Sequence, residues 1–120
     1  MSNVQAAKFL PGALNFEVYQ GDDFYPLPIT VQDSAGAGIA LSDAKMMIKG
    51  LDGTLLKTLA VGSGITITNP GSIQLSIAKA ETAAWAPTSY EYDLEVTYTS
   101  NGKTRTILSD LFTVTKQRTT

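Results

Sequence analysis

The longest regular alternation of apolar and polar residues lies in the last third of the chain. From Tyr90 to Tyr98, every second residue is aromatic or aliphatic, and the residues between them are acidic or threonine. This period of two is typical of a β-strand with one buried face and one face in water. We therefore predict a central strand here. The segment before it, residues 80–85, predicts a short helical turn, and Pro87 ends that turn.

Shorter alternations predict further strands, separated by clusters of Gly, Pro, Asn and Asp that favour turns. In one of these strands, Leu27, Ile29 and Val31 are expected to face the core. Pro26 and Pro28 remove backbone donors from it, which places its first half at a sheet edge. The pattern at residues 55–60 is too irregular to assign an inner face. The predicted strands before the central one cover residues 14–19, 24–32, 44–49, 55–60, 65–68 and 72–77.

The last predicted strand, residues 103–115, follows the turn sequence Asn101-Gly102. This dipeptide is a strong signal for a two-residue hairpin turn. Uninterrupted pairing from such a turn would leave Phe112 on the outer face of the sheet. We therefore expect a β-bulge before Phe112, at Ser109-Asp110. The alternative is a three-residue turn without a bulge.

These elements together predict an all-β fold. The leading fold is an immunoglobulin-like Greek-key β-sandwich of about seven to nine strands, with one short helical turn near residues 80–85. A small closed barrel is the alternative. The predicted domain organisation is a flexible N-terminal arm (1–13), the sandwich (14–115) and a C-terminal tail (116–120).

Two kinds of aromatic residue are expected to close one end of the sandwich. Tyr90 or Tyr92, at the start of the penultimate strand, is positioned for a tyrosine corner, in which the hydroxyl binds the connection just before the strand. Trp85 is expected to act as an apolar plug, because it lies on a helical turn that leads into a core strand.

Composition narrows the possible functions. The 120 residues include no cysteine and no histidine, which excludes disulfides and thiolate metal sites and removes the usual neutral-pH general base. The net charge of −2 is spread over scattered residues, so no basic stripe for nucleic acid is present. No apolar run approaches the roughly 20 residues that span a bilayer. We expect no enzyme activity, no cofactor, no nucleic-acid or membrane partner, and synthesis in a cytoplasm.

Two groups of carboxylates are candidate catalytic or metal-binding sites. Glu91, Asp93 and Glu95 form a row on one strand face, where paired carboxylates can serve glycoside hydrolysis. A solvated sheet face has the same pattern, and we prefer that interpretation. Asp22 and Asp23 provide oxygen ligands of the kind that calcium takes, but the regular spacing of a calcium loop is missing. We expect Asp22 to cap a turn, and we predict no metal site.

Five motifs in a fixed order carry a resemblance to a known family. The chain resembles small β-sandwich virion proteins of tailed bacteriophages, and is similar to the domain shared by long-tail-fibre accessory proteins and the N-terminal domain of baseplate upper proteins. The resemblance implies a structural, non-enzymatic role in a phage tail, baseplate or fibre attachment. It also implies synthesis in the host bacterial cytoplasm, location in the virion, and contacts to identical copies and other virion proteins. The motifs are GDDFYPLPITVQDSAG (21–36), GITITNPG (64–71), AETAAW (80–85), YEYDLEV (90–96) and LFTVT (111–115).

Two other functions stay open from the sequence. One is a capsid decoration protein; the other is a carbohydrate-binding module that uses Trp85 or a cluster of aromatic residues as its stacking platform. If the chain is a homo-oligomer, as the resemblance implies, apolar residues of the arm and aromatic residues near one turn are expected to make the partner contacts. These predicted partner-binding residues are Val4, Phe9, Leu10, Tyr19, Phe24 and Tyr25.

Overall fold

A computed structural model describes residues 12–116, which form eight strands and one short helix. No helix in this part of the chain is long and apolar enough to cross a membrane. The elements are β1 (Phe16–Tyr19), β2 (Ile29–Thr30), β3 (Leu41–Lys49), β4 (Leu55–Val61), β5 (Gly64–Thr68), β6 (Ser72–Leu75), α1 (Lys79–Thr82), β7 (Ser89–Tyr98) and β8 (Thr104–Thr115).

The strands form one mixed sheet in the order β1-β8-β7-β3-β4-β5-β6-β2. This sheet curls around a shared apolar core, which gives the β-sandwich that the sequence predicted. β1 runs parallel to β8, and β4 runs parallel to β5, while the other neighbours are antiparallel. The two ends of the strand order are therefore β1 and β2, which leaves β2 as an edge strand.

The core is centred on β7 and β3, as the alternation of β7 predicted. Tyr92 and Leu94 of β7 are almost fully buried, and they pair with Ile48 and Met46 of β3, which are fully buried. Full burial of one such side chain contributes about 1.5–3 kcal/mol to folding. In β7, Asp93 lies between Tyr92 and Leu94 and is exposed, so this strand pair fixes which face of the sheet becomes the core.

A bulge in β8 sets the register of the last hairpin. The pairing shifts by one residue opposite Leu94, so that Ile107 is an extra residue in β8. Without this shift, Phe112 would lie opposite an outward-facing residue of β7; with it, Phe112 is fully buried. The predicted bulge is present, but it lies at Ile107 and not at Ser109-Asp110. The connection is also longer than a two-residue turn and spans residues 99–102.

The connection between β6 and β7 closes one end of the sandwich. The predicted helical turn is α1, and Trp85 follows it with 8% of its surface exposed. The Trp85 ring packs edge-on against Phe112, with ring centroids 6.1 Å apart. The Tyr90 hydroxyl donates to the Ala86 carbonyl at 2.8 Å, which is the predicted tyrosine corner. These contacts confirm that Trp85 is an apolar plug.

Candidate functional site

The sheet edge before β2 exposes two large apolar side chains. Phe24 is joined to Ile77 by two backbone hydrogen bonds of 2.9 Å, and its side chain is buried. The chain then leaves the sheet, and Tyr25 and Leu27 are 70% and 88% exposed. Leu27 is the most exposed large apolar residue in the part of the chain that the structure describes. We call residues 25–28 the edge segment.

The prolines explain why the edge segment does not pair. Pro26 and Pro28 have no N–H group, so a regular ladder with β6 cannot continue through them. The Gln74 side chain replaces the missing strand contact, because its Nε2 donates to the Pro26 carbonyl at 2.7 Å. Regular pairing resumes only at Ile29, opposite Ile73. The edge segment is thus held at both ends while its alternate side chains project into solvent.

The predicted partner residues fall into three groups. Tyr19 and Tyr25 are on the surface, with 51% and 70% exposure. Phe24 is not, because it packs in the core against Phe16 and Phe112. The prediction that Phe24 contacts a partner is corrected accordingly. The remaining three, Val4, Phe9 and Leu10, lie outside the described residues.

Leu27 is the surface residue that the sequence pattern missed. Its alternation with Ile29 and Val31 indicated a core position, but Leu27 is exposed and the other two are only partly buried. The signal that identifies it is the pair of flanking prolines, which interrupts the strand on both sides of this one residue.

A second apolar surface lies at the end of the sandwich where β3 turns into β4. The turn and the start of β7 enclose an open groove of about 370 Å³. Leu51 and Leu55 line this groove with 63% and 53% of their surfaces exposed, and Tyr90, which also lines it, is buried. The lining residues are Gly50, Leu51, Asp52, Thr54, Leu55, Leu56, Thr88, Ser89 and Tyr90. We call this surface the turn groove.

The turn groove has one charged lining residue, Asp52. Its Oδ1 accepts a hydrogen bond from the backbone N–H of Thr54 at 3.0 Å. That bond, together with a side-chain bond from Thr54, lowers the pKa of Asp52 below its ordinary value of 3.8. The carboxylate is therefore charged at neutral pH, and it is already satisfied within its own turn.

The carboxylate row on β7 is a solvated sheet face. The Asp93 carboxylate accepts a 2.6 Å hydrogen bond from the Ser109 hydroxyl, and Glu95 lies 3.7 Å from Lys45 across the sheet. Such exposed pairs contribute little to stability. Asp93 and Glu95 are thus paired with different neighbours on this outer face of the sheet.

The acidic turn at residues 22–23 connects the chain after β1 to helix α1 through hydrogen bonds. The Asp23 carboxylate accepts the N–H of Lys79 at 2.8 Å at the beginning of α1, and the Asp22 carbonyl accepts the Thr82 hydroxyl at 2.7 Å. The carboxylate of Asp23 thus binds a backbone amide, and the cap predicted for Asp22 stays a prediction. Among residues 12–116, no three acidic side chains come close enough to hold a metal ion.

Two buried tyrosines of β7, Tyr90 and Tyr92, have side-chain pKa values that are raised above the ordinary value. Burial is the main cause of the raised pKa of both Tyr90 and Tyr92. For Tyr92, the negative charges of Asp110 and Asp93 raise the pKa further. Its hydroxyl donates to the Leu14 carbonyl, which ties β7 to the chain before β1. Both hydroxyls therefore act as neutral structural donors.

Comparison with known proteins identifies the fold but no family. Neither the known protein families nor the curated proteins contain a match to this sequence. Among solved structures, the fold is similar to that of CopC from Methylosinus trichosporium OB3b, with a TM-score of 0.51 and 17% sequence identity. The similarity covers 88% of this chain and 88% of that chain. At this identity the likeness concerns the fold alone.

This likeness corrects the predicted relationship to phage proteins. The solved structure described above is a CopC and not a virion protein, and no family match supports a phage origin. The predicted role in a tail, baseplate or capsid and the predicted virion location are therefore wrong. The motifs that suggested them consist of common turn and strand residues, which unrelated β-sandwiches share. The carbohydrate platform at Trp85 is also excluded, because that ring is buried.

Proposed function

We propose that this chain is a non-enzymatic binding domain that works through protein–protein contacts and associates with identical copies. The observation that carries the proposal is the edge segment, where Tyr25 and Leu27 project into solvent side by side with 70% and 88% of their surfaces exposed. Large apolar and aromatic side chains of this kind are enriched at the centres of protein interfaces.

The backbone of the edge segment favours a side-chain contact over strand addition. Pro26 and Pro28 deprive this edge of donors, and the Pro26 carbonyl is already bound to Gln74. The same prolines restrict the segment in the free protein, so less conformational entropy is lost when it binds. Burying Leu27 completely would contribute about 1.5–3 kcal/mol.

Charge and chemistry support a protein partner. The net charge is −2, and the open face of β7 carries Glu91, Asp93 and Glu95, which would repel phosphate groups of nucleic acid or of an anionic membrane. The sequence has no histidine, and the carboxylates of Asp93 and Glu95 on that face are engaged with Ser109 and Lys45. These features favour binding over catalysis.

The test is sedimentation velocity of the full chain over the concentration range that its solubility allows. We expect the wild type to shift from monomer to larger species with concentration, and Leu27→Ser to remain monomeric. Val61→Ser is the matched control, because Val61 is also an exposed apolar residue, at 47%, but lies outside the edge segment. A wild type that stays monomeric throughout, or a Leu27→Ser variant that associates like the wild type, would overturn the proposal.

A further inference from the structure

The turn between β7 and β8 folds an asparagine side chain toward its own backbone. Asn101 and Gly102 are both exposed at this turn. The Asn101 Oδ1 accepts a 2.9 Å hydrogen bond from the backbone N–H of Lys103, two residues later. A side chain bonded in this way forms an Asx turn and lies forward, toward the peptide that follows it. The side-chain carbon Cγ of Asn101 is thus directed toward the backbone nitrogen of Gly102, with which it can close a succinimide ring.

The hydrogen bond from Lys103 also activates this side chain. When a nucleophile adds to a carbonyl carbon, negative charge develops on the oxygen, and a backbone N–H aimed at that oxygen stabilises the charge. The Asn101 Oδ1 is the oxygen concerned, and the Lys103 N–H already points at it. Gly102 has no side chain to crowd its own nitrogen. The turn therefore combines a polarised amide with a sterically open nucleophile.

One hydrogen bond opposes the reaction and must open first. The Gly102 N–H donates to the Tyr98 carbonyl at 2.8 Å, inside the loop that the Tyr98 N–H closes by donating to the Lys103 carbonyl at 2.9 Å. Hydrogen bonds in exposed turns open locally, at a free energy far below that of global unfolding. Freeing the Gly102 nitrogen therefore requires opening only at the tip of the hairpin, while the strands stay paired.

The sequence has four asparagines, and Asn69 lacks the required neighbour. It precedes Pro70, which has no N–H to lose. Its side-chain amide is also held at both ends by the Leu41 backbone: Oδ1 accepts the Leu41 N–H at 2.8 Å, and Nδ2 donates to the Leu41 carbonyl at 3.0 Å. Asn69 is thus a structural residue that cannot close the ring.

The other two asparagines precede residues with bulky side chains. Asn15 precedes Phe16, the first residue of β1, whose side chain is buried in the core. Asn3 precedes Val4 in the sequence, and a branched side chain crowds the backbone nitrogen beside it. Asn101 is therefore the one asparagine of the sequence that is followed by glycine.

The turn between β3 and β4 repeats the same arrangement with an aspartate. Asp52 precedes Gly53, and its Oδ1 accepts the Thr54 N–H at 3.0 Å, again two residues later. Ring closure at a carboxyl group requires its protonated form, but hydrogen bonds from Thr54 lower the pKa of Asp52. The charged carboxylate resists attack by a nucleophile. Asp52-Gly53 is thus an internal control with similar turn geometry and a poorer electrophile.

We infer that Asn101 is a site of spontaneous deamidation in the folded protein. The Gly102 nitrogen bonds to Cγ of Asn101, the Cγ–Nδ2 bond breaks, and Nδ2 leaves as ammonia with the proton from the Gly102 nitrogen. Water then opens the succinimide. Its addition at Cγ gives aspartate, and its addition at the backbone carbonyl carbon gives isoaspartate. This site lies outside the edge segment, so the inference does not rest on the proposed self-association.

The two products affect the hairpin differently. Both add a negative charge, but in isoaspartate the backbone runs through Cβ and Cγ, which inserts an extra backbone atom into the loop of residues 99–102. The bond from the Gly102 N–H to the Tyr98 carbonyl and the bond from the Lys103 N–H to residue 101 both depend on the present length of that loop. Isoaspartate should therefore weaken the end of the hairpin, whereas aspartate preserves its backbone.

The experiment incubates the folded, full-length protein in neutral and in mildly alkaline buffer. Peptide mapping by mass spectrometry follows the peptide that contains Asn101. We expect its mass to rise by the difference between a hydroxyl and an amino group, and to rise faster in the alkaline buffer, because the attacking nitrogen must lose its proton. Gly102→Ala keeps the asparagine but crowds the nitrogen, and the added Cβ meets no atom within 4 Å. This variant should react several-fold more slowly, and circular dichroism verifies that it is folded.

Three outcomes would overturn the assignment. These are equal rates in the wild type and Gly102→Ala, a mass increase that appears first at Asn3, Asn15 or Asn69, and a reaction that occurs only after unfolding in urea. Any change at Asp52-Gly53 should be far slower than that at Asn101.

The effect on the hairpin has its own test. The isoaspartate form, separated by chromatography, should unfold at a lower urea concentration than Asn101→Asp, which has the same added charge on an unchanged backbone. Equal midpoints would overturn the predicted weakening of the hairpin, while the deamidation site would stand.

Discussion

The hydroxyl of Tyr90 donates a 2.8 Å hydrogen bond to the carbonyl of Ala86, four residues earlier in the chain. This bond fixes the entry of the chain into β7 immediately after Trp85, the residue that closes the end of the core. It also helps to shape the turn groove, because Tyr90 is one of the residues that line it. The stability of this corner and the shape of the turn groove therefore depend on the same side chain.

Replacing Tyr90 with phenylalanine should destabilise the fold by about 1 kcal/mol, because the ring stays packed while the Ala86 carbonyl loses its donor. The free energy of unfolding in urea measures this effect. Tyr25→Phe is the control, since it removes the hydroxyl of a tyrosine that is 70% exposed, and it should change stability by less than about 0.5 kcal/mol. Equal effects of the two changes would show that the corner bond does not stabilise the fold.

Alkaline conditions should destabilise the protein through Tyr92. Burial, with help from Asp110 and Asp93, raises its pKa in the folded state above the ordinary value of 10.0. The folded protein then holds this proton after the unfolded chain has lost it. The contribution to stability is fully present below about pH 10 and is lost as pH rises from there toward the folded-state pKa.

Urea unfolding at a series of pH values from neutral to strongly alkaline tests this expectation. The wild type should lose stability more steeply above pH 10 than Tyr92→Phe, which has no proton to lose at this position. The variant is also expected to be less stable at neutral pH, because the Leu14 carbonyl loses the Tyr92 hydroxyl. Parallel pH profiles for the two proteins would rule out Tyr92 as the source.

Much of the core could be predicted because its signal is local. The alternation in β7 identified Tyr92 and Leu94 as buried residues, and the need to bury Phe112 predicted a bulge in β8. The position of the bulge was not predictable, since a one-residue shift at any point between the turn and Phe112 would bury that ring. A turn dipeptide indicates that a turn exists, but backbone pairing across the whole hairpin decides its length.

The candidate site was harder to predict because it depends on contacts between distant residues. Leu27 alternates like a core residue, but two prolines flank it. Its exposure also follows from Gln74, which lies 48 residues from Pro26 in the sequence and takes the place of a strand partner for Pro26. The turn groove likewise forms where residues 50–56 meet residues 88–90. The alternation of apolar and polar residues within either segment does not predict that the two segments come into contact.

The buried hydroxyl of Thr82 should be important for the end of the sandwich near α1. Thr82 is fully buried; its Oγ1 donates to the Asp22 carbonyl at 2.7 Å and accepts from the Gly21 N–H at 3.1 Å. Thr82→Val keeps the shape but leaves both backbone groups without this partner. We expect a loss of about 1–3 kcal/mol in the free energy of unfolding.

Thr82→Ser is the matched variant for this test. It keeps the hydroxyl and removes one methyl group, so it should cost only about 1 kcal/mol. Thermal and urea unfolding of both variants should therefore rank them wild type, serine, valine in order of decreasing stability. A valine variant as stable as the serine variant would show that packing, and not hydrogen bonding, is what Thr82 contributes.

Gly71 should tolerate alanine far less well than Gly53, although both have positive φ angles, +80° and +91°. The left-handed backbone alone costs a side chain about 1–2 kcal/mol, and that cost applies at both positions. At Gly71, an added Cβ would also run into the Val31 carbonyl, whereas at Gly53 it would enter open space. The Gly71 carbonyl also accepts the Val31 N–H at 2.7 Å, so displacing its backbone would break the contact that holds the chain after β2.

Gly53→Ala should therefore remain folded with a loss of about 1–2 kcal/mol, and Gly71→Ala should lose clearly more stability in urea unfolding. Similar losses at both positions would mean that the Val31 carbonyl yields to the added methyl group, and that the edge after β2 is less rigid than its hydrogen bonds indicate.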